Sequence, residues 1–291
     1  MARLAAILHT DPGCPWAYSA IPALRVLRWR YGDQLDWRLV VIGLAEGPGR
    51  YAAAGYTPGR MLRGHAEFRR RFGMPFSLEP KARLSGTGRA CRAVVAARLA
   101  APGAEWDALR ALQLANFTTG AILDDDDDLR AALSTVPGLD AAAVVARIDD
   151  PEVERAYLRD RDEARSAAGT AASLQGKTAA TDGPERFTAP SLVLERDGLR
   201  LVAGGWQTVE AYDVLIANLD PALERRAAPA DPAQLLARFP EGLTTQEVTQ
   251  LLVEGNDAPD RPAAEAALLG LVAEGRATAT PVGDDRIWRA A

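Results

Sequence analysis

The chain has 291 residues, of which 48% are hydrophobic and 25% charged, and its formal net charge at pH 7 is −5. This length and balance predict a globular protein of two or three units. The acidic charge argues against general nucleic-acid binding, and no apolar run is long enough to span a membrane. Two cysteines, Cys14 and Cys91, exclude a disulfide-stabilised scaffold. With no signal-peptide pattern at the N-terminus, we expect a cytoplasmic location.

The first fifty residues predict a βαβ unit. Residues 4–10 are a short apolar run ended by Asp11-Pro12-Gly13, residues 18–31 carry apolar side chains at helical spacing, and residues 35–44 are apolar again. Links as short as these, with a helix between the strands, favour parallel pairing.

The middle of the chain, from about residue 55 to 180, is almost wholly helical in pattern. Apolar side chains recur every three or four residues in 86–101, 105–120, 128–136 and 152–169. The five aspartates at 124–128 lack the spacing of a calcium loop, and we interpret them as capping the helix that follows. Strand character returns in 190–204.

Two apolar runs within 190–204 flank Arg196-Asp197-Gly198, which predicts a hairpin, and residues 208–219 predict a helix after it. The order βαβ, helical block, ββα is an α/β domain with a helical insertion. Residues 224–234 then have the Pro/Ala composition of a linker.

The C-terminal 61 residues, 231–291, predict three helices followed by a hairpin, which is a winged-helix-like domain. This unit carries ten acidic side chains against five arginines, so we do not expect it to bind a DNA backbone. We expect it to dock a protein partner or a second copy of the chain instead.

Cys14 lies where the first strand ends and the first helix begins. Helix N-termini stabilise thiolates, so one interpretation is a reactive thiol with a lowered pKa. The alternative is a small buried residue without chemistry. A redox dithiol needs a second cysteine at position 17, where this chain has Ala17. Cys91 lies among apolar helical positions and is interpreted as core, although a resolving role is the alternative.

Two separated segments resemble the DsbA-like branch of the thioredoxin superfamily: "DPGCPWAYSAIPAL" and "RFTAPSLVLERDGLRLVAGG". The nearest likeness is to FrnE-type proteins, 2-hydroxychromene-2-carboxylate isomerase and kappa-class glutathione transferase, over roughly residues 1–222. The resemblance implies an α/β fold with a thioredoxin-like core at 1–54 and 186–222 and a helical insertion at 55–185. The winged-helix-like unit at 231–291 lies outside it.

The resemblance also implies the site. Its catalytic residues are Cys14, Pro15, Trp16 and Pro190, with Pro190 in a cis bond against the Cys14 sulfur. Thr188 and Ala189 are expected to bind substrate beside it. The resemblance further implies that Arg89, with Ser85 and Thr87, faces the same cleft. Apart from the resemblance, residues 173–187 have no helical pattern, and we interpret them as a mobile lid from which Lys177 reaches a ligand carboxylate. No metal site is predicted.

Three functions remain open for this sequence. The first is a DsbA-like oxidoreductase that uses the single Cys14 through a thiolate or a mixed disulfide. The second is a glutathione-type transferase or isomerase, and the third is a non-catalytic binding or regulatory protein on the same scaffold. We expect no tightly bound cofactor, with glutathione or another low-molecular-weight thiol as co-substrate and a small-molecule or protein thiol as substrate. Neither nucleic acid nor membrane is an expected partner.

Overall fold

A computed structural model describes residues 3–255 and 257–291 of the chain. The strands, in chain order, are β1 Leu4–Thr10, β2 Leu35–Val41, β3 Thr178–Ala179, β4 Arg186–Phe187, β5 Ser191–Arg196, β6 Leu199–Gly204, β7 Leu243–Thr244, β8 Ala277–Val282 and β9 Asp285–Ala290.

The helices, in chain order, are α1 Pro15–Ser19, α2 Ile21–Tyr31, α3 Gly49–Ala53, α4 Pro58–Phe72, α5 Gly88–Ala100, α6 Ala104–Thr118, α7 Asp126–Leu133, α8 Ala141–Ala146, α9 Pro151–Ala164, α10 Ala171–Leu174, α11 Val209–Leu219, α12 Ala233–Arg238, α13 Thr245–Leu251 and α14 Arg261–Ala273. Within the described parts of the chain, none of them is long and apolar enough to cross a bilayer.

The central sheet has four strands in the order β2-β1-β5-β6. β1 and β2 run parallel, with Leu4 opposite Leu35, which confirms the predicted βαβ unit. β5 pairs antiparallel with both β1 and β6. Asp197 and Gly198 connect β5 to β6 with φ angles of 49° and 81°, the left-handed conformation that a two-residue hairpin turn requires.

The helix predicted for residues 18–31 begins earlier and is interrupted. α1 starts at Pro15, directly after Cys14, and α2 starts at Ile21 after a break at Ala20. The chain leaves α2 at Gly32, whose φ of 51° is open to glycine at little cost. The break matters for the site because the residues next to Cys14 belong to a separate short helix.

The helical insertion packs against β2 and forms its own core. Val94, Leu112 and Tyr157 are fully buried in it. Arg98 and Asp160 form an ion pair that fastens α5 and α9 to the sheet, since Arg98 also donates to the carbonyl oxygen of Leu39. Asp125 caps α7 by accepting from the amides of Asp127 and Asp128, as predicted for the aspartate run.

The C-terminal region has the predicted helices and terminal hairpin, together with the short strand β7. It packs directly on the central core, because Leu235, Val248 and Leu268 share one hydrophobic cluster with Leu27 of α2. The segment expected to be a linker also lies against α2: the Trp29 indole donates to the Ala227 carbonyl oxygen at 2.8 Å. Residues 224–234 are therefore attached to the domain by hydrogen bonds, although six of the eleven are exposed, and their assignment as a linker stays a prediction.

Candidate active site

Cys14 is presented by a tight turn at the end of β1. The Asp11 carbonyl oxygen accepts the Cys14 amide at 3.2 Å, and the Asp11 carboxylate accepts the Gly13 amide at 2.8 Å. These two bonds bend the chain so that Cys14 precedes α1, with Pro15 at the first helical position. The backbone of this turn therefore fixes the position of Cys14 independently of the side chains that contact its thiol.

The cis-proline loop, which comes late in the sequence, lies against Cys14. The Ala189–Pro190 bond is cis, as the resemblance implied. The Cys14 thiol donates a hydrogen bond to the Ala189 carbonyl oxygen at 3.1 Å. Two segments that are 175 residues apart in sequence thus form one site.

The environment of the thiol contradicts the expectation of a lowered pKa. Only 6% of Cys14 is exposed, and burial raises the pKa of its thiol to about 12. The amides of Ala17 and Trp16 act in the opposite direction, as a helix N-terminus should, but removal of the thiol from water is the larger effect. In this structure the resting form of Cys14 is therefore the neutral thiol.

Asp11 is a member of the site that the sequence analysis did not single out. It is fully buried, and its second oxygen, Oδ2, accepts from the Leu44 amide at 2.8 Å, the Thr87 hydroxyl at 3.0 Å and the Cys91 thiol at 3.5 Å. Burial raises the pKa of this carboxyl. The sequence signal for it was Asp-Pro-Gly, a turn-forming tripeptide directly ahead of the thiol.

Cys91 is wholly buried on α5 and belongs to the apolar core of the insertion. Burial raises the pKa of its thiol well above the ordinary value. This agrees with the interpretation of Cys91 as a core residue. Thr87, one helical turn earlier, contacts the site through the hydrogen bond that its hydroxyl donates to Asp11.

Trp16 lies at the rim of the site and is 39% exposed. Its ring meets Phe68 and Phe72 of α4 edge-on, with centroids 4.9 and 5.7 Å apart. Phe72 in turn lies 5.0 Å from the ring of Trp206. These four rings form a partly exposed aromatic surface next to Cys14.

The loop before the cis proline contacts the stretch predicted to be a lid. The Thr188 hydroxyl donates to the Lys177 carbonyl oxygen at 2.9 Å, and the Thr188 carbonyl oxygen accepts from the Ser191 hydroxyl at 2.7 Å. The Lys177 side chain is exposed. Thr188, Ala189 and Lys177 therefore lie together along one loop pair, close to Cys14.

Comparison with known proteins places this geometry in a family. The family model for the DSBA-like thioredoxin domain matches residues 7–170. The chain belongs to this family. A search of curated proteins finds no match.

Solved structures support the same fold at low sequence identity. Cytosolic disulfide reductase DsbM from Pseudomonas aeruginosa is 21% identical, with a TM-score of 0.52 over 75% of this chain and 100% of its own. A probable DsbA oxidoreductase from Streptomyces coelicolor is 19% identical, with a TM-score of 0.55 over 76% and 91%. A candidate protein disulfide isomerase from Nitrosomonas europaea is 19% identical, with a TM-score of 0.57 over 75% and 97%. The fold is thus the expected α/β DsbA-like domain with an additional C-terminal region.

In this DSBA-like domain, position 17 carries a buried alanine where a dithiol enzyme would have its second cysteine. Arg89 is occupied elsewhere: its guanidinium pairs with Asp126 and with Asp149, within the insertion. The structure does not bring its charged group together with Cys14 through any contact among the described residues.

Two arginines around the Asp11 turn and the cis-proline loop were missed by the sequence analysis. Arg186 is buried directly before the cis-proline loop, and Arg50 lies at the start of α3. The Arg50 guanidinium donates to the Leu44 carbonyl oxygen at 2.6 Å, and the Leu44 amide binds Asp11. No motif marks either residue, because only the fold brings Arg50 to the Leu44 backbone and the charge of Arg186 close enough to lower the pKa of Cys14.

Proposed function

We propose that this protein is a thiol–disulfide oxidoreductase that uses Cys14 alone. The observation that carries the proposal is the 3.1 Å hydrogen bond from the Cys14 thiol to the carbonyl oxygen of Ala189, next to the cis proline. A backbone carbonyl at this place also offers an extended substrate a hydrogen-bond partner. The family to which the chain belongs supports thiol chemistry on this scaffold.

The reaction requires an external disulfide and an external thiol, since no second cysteine lies at position 17. The Cys14 thiol loses its proton to solvent, and the thiolate attacks a disulfide R–S–S–R. One S–S bond breaks, Cys14–S–S–R forms, and RS⁻ leaves. A thiolate R′S⁻ then attacks the R sulfur, which releases R–S–S–R′ and restores Cys14. Glutathione or another low-molecular-weight thiol fits the role of R′, without a tightly bound cofactor.

A second function is favoured by the raised pKa. A Cys14 that stays protonated at neutral pH is a hydrogen-bond donor, and a donor in this position can hold the thiolate of a bound thiol. Such a site supports a glutathione-type transferase or isomerase, in which the reacting sulfur belongs to the co-substrate. The structure of DsbM determined with GSH is a fold neighbour, at 20% identity.

Two assays separate these functions. Reduction of insulin by glutathione tests the oxidoreductase, and conjugation of glutathione to 1-chloro-2,4-dinitrobenzene tests the transferase. Cys14→Ser keeps a hydroxyl donor and removes the nucleophilic sulfur, so it should abolish the first activity and retain part of the second. Cys14→Ala should abolish both. Activity of Cys14→Ala equal to that of the wild type in the insulin assay would overturn the proposal, and no activity in either assay would favour a binding protein.

We further propose a cytoplasmic location, with a thiol compound as the partner at Cys14. The C-terminal region is proposed to dock a protein or a second copy. The ten acidic residues of this region against five arginines argue against binding to a DNA backbone. Gel filtration with light scattering tests the second copy, and a strictly monomeric protein would contradict self-association.

A further inference from the structure

A cavity of about 70 Å³ lies between α2 and α6 and is partly open to solvent. Its walls come from all three parts of the chain: β1, α1 and α2 of the core, α6 of the insertion, and Glu241 of the C-terminal region. Within the described ranges, its lining residues include neither Cys14 nor Pro190. The cavity has room for about two water molecules or a short part of a ligand, and such a ligand would lie outside the thiol site.

Five charged side chains line the cavity among the residues that the structure describes, and three of them already have partners. Arg25 pairs with Glu241 and with Glu247, and Arg110 also pairs with Glu247. The two that remain, one arginine and one aspartate, have opposite charges. The cavity is therefore lined by one cation and one anion that the protein leaves without an ion pair.

The cation is Arg28, which is held by aromatic rings and not by an acid. Its guanidinium carbon lies 4.0 Å from the ring centroid of Trp106 and 5.2 Å from that of Trp37. It forms no hydrogen bond or ion pair with any residue that the structure describes. Burial lowers the pKa of Arg28 to about 9, and an anion beside it would oppose that effect. Its free donors form a planar fork that fits a carboxylate.

The anion is Asp107, the residue after Trp106 on α6. It is half-buried, and across residues 3–255 and 257–291 it has no hydrogen bond or ion pair. Burial raises the pKa of its carboxyl, Glu241 raises it further, and the nearby arginines lower it. An ammonium group in the cavity would stabilise the charged form. A ligand with both a carboxylate and an ammonium group thus complements the two unpaired charges.

The more buried part of the cavity combines apolar and neutral polar side chains. Leu24 and Leu109 contribute the apolar surface. Thr10 is 2% and Gln113 is 3% exposed, and no described residue forms a hydrogen bond with the Thr10 hydroxyl or the Gln113 amide. Buried polar side chains are normally hydrogen-bonded. These two groups therefore fit the neutral polar end of a ligand side chain.

We infer that this cavity binds a free α-amino acid with a short, neutral polar side chain. The ligand carboxylate accepts from the Arg28 guanidinium, and its ammonium group donates to Asp107. Its side chain enters the cavity and reaches the Thr10 hydroxyl and the Gln113 amide. This binding is independent of the reaction at Cys14, so the inference goes beyond the proposed function.

The test compares four ligands for binding to the full chain by isothermal titration calorimetry. L-Glutamine carries all the groups that the cavity complements. Glutaramate lacks the ammonium group, 4-aminobutanamide lacks the carboxylate, and L-norleucine has an alkyl end in place of the amide. We expect L-glutamine to bind, the two singly charged analogues to bind on the order of tenfold more weakly, and L-norleucine to bind several-fold more weakly.

Two variants assign the recognition to the unpaired charges. Arg28→Gln should weaken the binding of L-glutamine by on the order of tenfold without weakening that of 4-aminobutanamide. Asp107→Asn should weaken L-glutamine by a similar factor and not glutaramate, because the repulsion of its carboxylate is removed. Arg155→Gln, an exposed arginine on α9, is the matched control and should bind L-glutamine like the wild type. Circular dichroism establishes that each variant is folded.

The wild-type protein alone can overturn the inference. A ligand that binds only the folded state raises the melting temperature, so L-glutamine should raise it in proportion to its binding. Neither heat nor a shift in melting temperature with L-glutamine would overturn the site, and equal affinities for L-glutamine and glutaramate would overturn the amino-acid class. Wild-type affinity in both Arg28→Gln and Asp107→Asn would do the same. None of these results bears on the chemistry of Cys14.

Discussion

The thiol of Cys14 donates a hydrogen bond to the carbonyl oxygen of Ala189, and this contact joins the start of the domain to its cis-proline loop. Burial of the sulfur raises the pKa of the thiol, and the contact gives the protonated form a hydrogen-bond acceptor. A buried thiol that ionises loses its hydrogen bond to the carbonyl oxygen and carries a charge that little water reaches. Reactivity at this site therefore depends on how a substrate or a motion brings water or a donor to the sulfur.

The raised pKa of Cys14 predicts a distinctive alkylation profile. With a pKa of about 12, the rate of reaction with iodoacetamide should rise roughly tenfold per pH unit from pH 7 to 10 without reaching a plateau. The Cys91→Ala protein isolates Cys14 for this measurement. A plateau at or below about pH 8.5, the ordinary value for a cysteine, would contradict the buried environment.

Asp11→Asn should accelerate the same reaction. Burial is the main cause of the raised pKa of Cys14, and the Asp11 charge raises it further. Removing that charge lowers the pKa, so we expect alkylation at pH 8 to become several-fold faster. Asp128→Asn, a change at a carboxylate that accepts from the Ile122 amide, is the control and should not alter the rate. A profile of Asp11→Asn superimposable on that of the parent would argue against electrostatic coupling.

Gly13→Ala should disturb the turn that presents the thiol. A Cβ at residue 13 would lie 2.5 Å from the Cγ2 of Thr87, which is buried. We expect a loss of about 1–3 kcal/mol in the free energy of unfolding, measured in urea. The double variant Gly13→Ala with Thr87→Ser removes that methyl and keeps the hydroxyl for Asp11, so it should recover stability. Additive losses in this cycle would show that the clash lies elsewhere.

Glu247→Gln should be the most destabilising of these changes. Glu247 is fully buried between Arg110 and Arg25, and burial, which disfavours its charge, is outweighed by the two arginines, so its pKa falls to about 2. Neutralising it leaves the buried Arg110 without a carboxylate, while Arg25 keeps its ion pair with Glu241, at a cost of about 3–5 kcal/mol. Glu265→Gln on α14, whose contact with Arg286 is 3.8 Å, is the control.

The same residue sets a pH dependence. Because the folded-state pKa of Glu247 lies below the unfolded value of about 4.3, its contribution is complete above that value and is lost as the pH falls towards 2. Urea unfolding at pH 7, 4 and 3 should show this acid sensitivity in the parent and a smaller one in Glu247→Gln. If the free energy of unfolding falls equally with pH in both proteins, Glu247 is not the source of the acid sensitivity.

The local pattern of the sequence was enough for most of the elements. Periodicity located β1 and α11, and Asp197-Gly198 marked the hairpin, because these signals act between neighbouring residues. It did not predict the break at Ala20, where apolar residues continue through both helices. It also gave no reason to expect residues 224–234 to lie against α2, since alanine and proline are compatible both with a solvated linker and with a segment attached to the domain.

The sequence by itself showed that position 17 holds alanine and not a second cysteine. The family resemblance that it carries implied that a proline loop more than 170 residues later lies at the same site. Only the tertiary structure decided the protonation state of the Cys14 thiol. A helix start favours the thiolate, but burial opposes it more strongly, and burial depends on every segment that covers the sulfur. The same reason applies to Asp11, Arg50 and Arg186, because only the fold decides which polar and charged groups lie beside them.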